Sequence, residues 1–193
     1  MRVLLIGPPA SGKGTQGRRL AADFEVSYLS SGELLRTEVA AATPLGQRVA
    51  DDLARGDLVP DELILDVLRA PLEKALRSGG YLLDGFPRTV AQARALDEWA
   101  AAIGGRPEAA VWFDVGDDEL LRRSHTRASV EGRADDVAAV ARHRIDVYNG
   151  ATAPVIDYYR QAGILIHIDA ARPIEEVAAA VDAALAPFDV RTR

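Results

Sequence analysis

Residues 7–16 read GPPASGKGTQ and follow the apolar run Val3-Leu4-Leu5-Ile6. Lys13 stands between Gly12 and Gly14, and it is one of two lysines among 23 basic residues. In a chain that otherwise uses arginine, that lysine is informative. Glycines let a backbone curl until several N–H groups face one anion, and the start of a following helix adds a positive end. The spacing Gly7-x-x-x-x-Gly12-Lys13 therefore predicts a phosphate cradle. Pro8 and Pro9 have no N–H, so the donors come from Ala10, Ser11, Gly12, Lys13, Gly14 and Thr15. Lys13 is expected to reach the β- and γ-phosphates of a bound nucleotide. Gly14 takes the place where the general pattern has Ser or Thr, and Thr15 follows one step later. Asp84 ends another apolar run, Tyr81-Leu82-Leu83, where a carboxylate has no packing role. Two readings stay open for it: a metal ion held through water beside Thr15, or a cap on a turn.

These residues need elements to position them. Short apolar runs alternate with helical stretches along the whole chain, which predicts an α/β fold. Strands are expected at 2–6, 27–29, 81–83, 110–113 and 164–168, forming a five-stranded parallel sheet covered by helices on both faces. Helices are expected at 14–24, from 31 after a capping box Ser30-x-x-Glu33, at 44–55 before Gly56, and from 60–62 onward. Further helices are expected at 89–103, 117–125, 136–148, 154–161 and 174–186. Parallel sheets bind ligands beyond the carboxyl ends of their strands. The unusual residues lie there: the glycine loop after the first strand, residues 30–36 after the second, and residues 84–88 after the third.

The chain has 193 residues, enough for one domain with small inserts. Hydrophobic residues make up 48% and charged residues 27%, as in globular cytoplasmic proteins. No apolar run approaches the ~20 residues that span a bilayer, and Gly7-Pro8-Pro9 interrupts any signal-like stretch. Cysteine is absent and the three histidines are far apart, which removes disulfides and thiolate metal sites. A net charge of −6 argues against nucleic acid or an anionic membrane as partner. An anionic ligand must then be met by a local basic cluster.

Several segments together identify a resemblance. GPPASGKGTQ, SSGELLR (30–36), GDLVPDE (56–62), DGFPRT with Gln92 (84–92), EGRADD (131–136) and the stretch from Arg144 to Tyr148 resemble the adenylate kinases and their nucleoside-monophosphate kinase relatives. The likeness runs from residue 1 to about residue 186. It implies a P-loop three-layer fold with a helical monophosphate-binding insert at 30–59 and a lid at 127–137. It implies transfer of the γ-phosphoryl group of Mg-ATP to AMP, giving two ADP, by a monomer. Carried over by motif, residues 10–15 would hold ATP, Arg123 and Arg127 would flank it, and the backbone near Arg172 would touch its base. Ser31, Gly32, Arg36, Asp57, Leu58, Val59, Gly85, Phe86, Pro87, Arg88 and Gln92 would hold AMP. Arg133 and Arg144 would bridge the two sets of phosphates.

The chemistry is arguable from charge alone. ATP and a monophosphate bring about six negative charges together, and the acceptor oxygen is already ionised. No general base is needed; positioning and neutralisation are. Lys13, Arg36, Arg88, Arg123, Arg127, Arg133 and Arg144 are the expected cations, with Lys13, Arg88, Arg123, Arg133 and Arg144 acting on the transferring group. Water has to be excluded, so residues 30–59 and a loop around 128–135 are expected to close over the substrates. That second loop is short and lacks cysteine, which predicts a lid without structural zinc. Two departures matter. Ala10 stands where the family usually has glycine, and Ser31 where its AMP-specific members usually have threonine. Pyrimidine-monophosphate relatives tend to have alanine at the second position and asparagine in place of Thr89. A UMP/CMP-type kinase and a nucleotide-gated binding module without an acceptor site remain the alternatives.

Overall fold

In the computed structural model, residues 1–131 and 138–189 are described, without the side chains of 129–131. Strands β1 (Arg2–Ile6), β2 (Ser27–Ser30), β3 (Tyr81–Asp84), β4 (Ala109–Asp114) and β5 (Leu165–Asp169) form one sheet in the order β2-β3-β1-β4-β5. Every pairing is parallel, and Leu5 registers with Asp84. Alternation sorts the strand side chains between two cores. Leu4, Ile6, Tyr81, Leu83 and Ala110 face α4 (Asp61–Arg77), α5 (Val90–Ala102) and α8 (Ala153–Gln161). Val3, Leu5, Leu82, Val111 and Phe113 face α1 (Lys13–Asp23) and α9 (Ile174–Leu185). Both faces being covered is why these strands read as near-continuous apolar runs.

Between β2 and β3 the chain leaves the sheet as α2 (Ser31–Ala40) and α3 (Pro44–Arg55) before α4 begins. The Ser30 hydroxyl accepts from Glu33 N–H at 3.4 Å, the N-cap half of the expected capping box, while the Glu33 carboxylate pairs with Arg18 instead. Thr43 caps α3 by accepting from Gly46 N–H at 3.0 Å. Leu35 and Val49 anchor the pair to the sheet's core.

Two helical stretches differ from expectation, and a third holds a proline. α6 runs Asp117–Glu131, six residues beyond 125, because nothing between Thr126 and Glu131 breaks a helix before Gly132. The expected lid loop at 128–135 is therefore helical over 128–131; the rest of it, with Arg133, lies outside the described residues. α7 (Ala138–Val147) is not a separate helix from α8. A π turn, Tyr148–Thr152, joins them, and Pro154 with its missing N–H sits just beyond. α4 carries Pro71 in its interior, which the charge and apolar pattern around it did not reveal.

Candidate active site

The loop from Gly7 to Gly12 turns β1 into α1. Gly12 sits at φ +92 and starts α1 with no side-chain cap, so the first N–H groups of the helix are left for a ligand. Ala10 is also left-handed, at φ +62. That conformation costs a non-glycine residue about 1 kcal/mol. Alanine at this point is a departure with a physical cost. Lys13 curls back over the cradle, its Nζ donating to Pro8 O at 2.7 Å and to Ser11 Oγ at 3.2 Å. Burial pushes the Lys13 ammonium down to about 8, Arg88, Arg144 and Arg127 push the same way, and Asp84 opposes them.

One cleft lies over the carboxyl ends of β1, β2 and β3. It is lined by the glycine loop and by Thr15, Arg36, Asp84, Arg88, Arg123, Arg127 and Arg144. The cations come from five places: the loop with Lys13 at the start of α1, α2, the turn after β3, α6 and α7. Arg88 donates through Nε to Gly85 O at 2.8 Å, which folds it over the turn. Arg123 lies beside Glu119, whose carboxyl is held down to about 2 by hydrogen bonds from Arg122 and then Arg123. Arg144 packs over Gly56, where an added Cβ would lie 2.5 Å from its Cγ. Arg172 lies outside this lining; it is exposed and pairs with Asp169 at 3.0 Å and Glu176 at 4.0 Å.

Asp84 is 9% exposed and accepts a hydrogen bond from Tyr28 Oη at 2.7 Å. That bond fixes the carboxylate's orientation and raises the Tyr28 phenol far above its ordinary range, burial being the larger cause. Asp84 and the Thr15 hydroxyl line the same cleft and are hard oxygen donors, a set that suits Mg2+ with most of its waters retained. Among the described residues no group of three or more His, Asp or Glu side chains could hold a metal by itself.

Next to the cleft is a narrower slot between the insert and the end of β3. Leu35, Leu53, Leu58, Val59, Ile64 and Phe86 give it apolar walls, with Ser31, Asp57, Gly85, Arg88 and Gln92 completing it. Ser31 is 1% exposed, and its Oγ has no hydrogen-bond partner among the described residues. A buried hydroxyl left unsatisfied is costly, so this one marks a place for a polar ligand atom. The Arg36 guanidinium folds over Gly32. Pro87, in the turn, lines the main cleft.

Sequence reasoning missed several lining residues. Tyr28, Arg18 and Glu33 form a relay in which the Arg18 guanidinium pairs with Glu33 and lies 5.4 Å from the Tyr28 ring centroid. Strand alternation puts Tyr28 on the same side as Ser30, which was the available signal. Tyr148 and Thr152, on the π turn, also line the cleft. Asp57 contacts Arg55 at 2.8 Å and His143 Nε2 at 2.7 Å, a pairing across 86 positions that no local pattern announces.

Comparison with known proteins agrees over most of the chain. A family model described as "Adenylate kinase" matches residues 5–164. A protein of Xanthomonas campestris pv. campestris named adenylate kinase is 46% identical over 185 residues, covering 96% of this chain and 99% of its own. One of Xanthomonas oryzae pv. oryzae with the same name is 47% identical over 177 residues, covering 92% and 95%. One of Prochlorococcus marinus (strain MIT 9313), likewise named, is 46% identical over 184 residues, covering 95% and 98%.

Proposed function

The chain belongs to the adenylate kinase family, and from that premise we propose how its cleft works and which residues divide the labour. The reaction is phosphoryl transfer from ATP to AMP, yielding two ADP. A bond forms between an oxygen of the AMP phosphate and the γ-phosphorus, and the bond from that phosphorus to the β-γ bridging oxygen breaks. The UMP/CMP and binding-module readings are not favoured by the relatives' names.

The reading rests most on one observation: Lys13 and the arginines at 36, 88, 123, 127 and 144, drawn from five places in the fold, line a single cleft with the glycine loop and Asp84. Backbone N–H groups of residues 10–15 would bind the donor phosphates. Lys13 would leave Pro8 O for the transferring group, and Arg123 and Arg127 would stabilise it from α6. Arg36 and Arg88 would hold the acceptor phosphate, Arg144 would bridge the two, and Arg133 would join from the lid. Ser31 would donate a hydrogen bond from its hydroxyl to the acceptor nucleotide, while Gly32, Asp57, Leu58, Val59, Gly85, Phe86, Pro87 and Gln92 would enclose it. The backbone at Arg172 would touch the ATP base. Adenylate kinases use Mg-ATP; bound magnesium neutralises the donor phosphates, and Asp84 and Thr15 would orient its waters. The segments 30–59 and 127–137 would close to exclude water, acting in a monomeric cytoplasmic enzyme with no zinc in the lid.

The experiment is ADP production from ATP in the presence of AMP, UMP, CMP or GMP. The expected result is two ADP per ATP consumed with AMP, and far lower rates with the pyrimidine monophosphates. ATP hydrolysis independent of any monophosphate would sink the reading. Arg88→Ala should lower turnover by two or more orders of magnitude while leaving the melting temperature near that of the parent.

A further inference from the structure

Gln92 is the one amide among the side chains lining the acceptor slot, and it is 2% exposed. Its backbone N–H donates to Thr89 Oγ1 at 3.1 Å, which fixes the start of α5 around it. Both ends of its side chain are engaged. Oε1 accepts from the Arg88 backbone N–H at 2.7 Å, and Nε2 donates to Asp61 Oδ1 at 2.6 Å. The two partners are of opposite kinds. An N–H can meet only an oxygen, and a carboxylate can meet only an NH2 group. Rotating the amide by half a turn would set N–H against NH2 and oxygen against a negatively charged carboxylate. The amide is therefore held in one sense, with one lone pair and one hydrogen left for a ligand.

We propose that Asp61 is a specificity-determining positioning residue: through Gln92 it selects a 6-aminopurine over a 6-oxopurine as the acceptor base. This rests on the reading that the acceptor base lies in the slot against Gln92. Adenine offers an acceptor at N1 beside a donor at its 6-amino group. Hypoxanthine has the same shape but offers a donor at N1 beside an acceptor at O6. The two edges are opposite in sense, so an amide locked one way complements one and opposes the other. With Asp61 replaced, only the Arg88 N–H still favours that sense, and the amide can turn to suit the opposite edge for the loss of that single bond. Asp61 reaches Gln92 from the first position of α4, so half of the lock comes from outside the slot, the other half being the Arg88 N–H within it.

The test is kcat/KM for AMP and for IMP, with ATP as donor, in the parent, Asp61→Asn, Asp61→Ala and Gln92→Ala. Asn is isosteric and can donate as well as accept, so it releases the lock with least disturbance. The expected result is an AMP-to-IMP ratio lowered tenfold or more in Asp61→Asn, with AMP efficiency falling and IMP efficiency rising, and the KM for ATP within twofold of the parent. Asp61→Ala, a second variant in case the first fails to fold, should also lower the ratio, and Asp61→Glu should restore most of it. A ratio within twofold of the parent in both the Asn and Ala variants overturns the role of Asp61. A parent ratio near one does the same. If Gln92→Ala also leaves the ratio unchanged, the placement of the base against Gln92 fails with it. If Gln92→Ala narrows the ratio and the Asp61 variants do not, only the positioning role fails.

Discussion

Lys13 carries the most telling chemistry at the scale of single residues. Its ammonium has a depressed proton affinity, with a pKa of about 8, because burial and three arginines disfavour a further positive charge. Phosphate binding reverses that, since bound anions favour the charged form. Above pH 8 the empty enzyme holds Lys13 neutral, and binding must first take up a proton. ATP affinity is expected to weaken as pH rises from 8 to 9.5, by up to about tenfold per pH unit. Titration calorimetry in buffers of different ionisation enthalpy should show net proton uptake there, and Lys13→Met should flatten the dependence. Ala10 makes a second prediction. Its φ of +62 suits glycine, so Ala10→Gly should relieve strain of about 1 kcal/mol, partly offset by a more flexible unfolded chain. The net gain in a urea titration should be about 0.5 kcal/mol, with ATP affinity changed less than about threefold, since the cradle already has its shape.

Within the insert, α2 and α3 meet at very close range. A Cβ on Gly46 would lie 2.1 Å from Glu38 O, so α3 crosses the end of α2 where only glycine fits. Gly46→Ala should force the two helices apart, at a cost of about 1–3 kcal/mol. The KM for AMP should rise tenfold or more, while ATP binds nearly as in the parent because the glycine loop is on the other side of the cleft. Equal losses for both nucleotides would mean that the two sites do not divide along this line. The elements legible in the sequence were those specified locally. Gly12-Lys13 after an apolar run, Ser30 with Glu33, and Pro44 with Gly56 each announce their own boundary through capping or turn chemistry. What stayed hidden depends on neighbours distant in sequence. Asp61 and Gln92 are 31 positions apart and meet only when α4 packs beside α5. Nothing local announces that a π turn splices α7 to α8.

For the whole molecule, the decisive contrast is between net charge and local charge. The chain carries −6 overall, yet seven described cations line one cleft. The sequence supplied the count of arginines but could not separate those in the cleft from those on the surface. Arg122 and Arg123 are neighbours, and only the second lines it. Helical rotation makes that choice, and it becomes visible once the face of α6 is known. Because the attraction is electrostatic and partly screened, ATP affinity should fall by about three- to tenfold between 50 mM and 500 mM KCl. The melting temperature of the empty protein should shift by only a few degrees over the same range. A flat response would mean that packing around the base, rather than charge, dominates binding. Asp84 ends β3 and Arg88 follows four residues later in the turn beyond it, folded back onto Gly85 O, beside the loop on one flank and the slot on the other. The span between donor and acceptor is thus a built-in ruler, independent of how far either flap swings. One extra residue spliced between Gly85 and Arg88 should leave two half-sites, each still able to fill, across a gap that the travelling group no longer crosses.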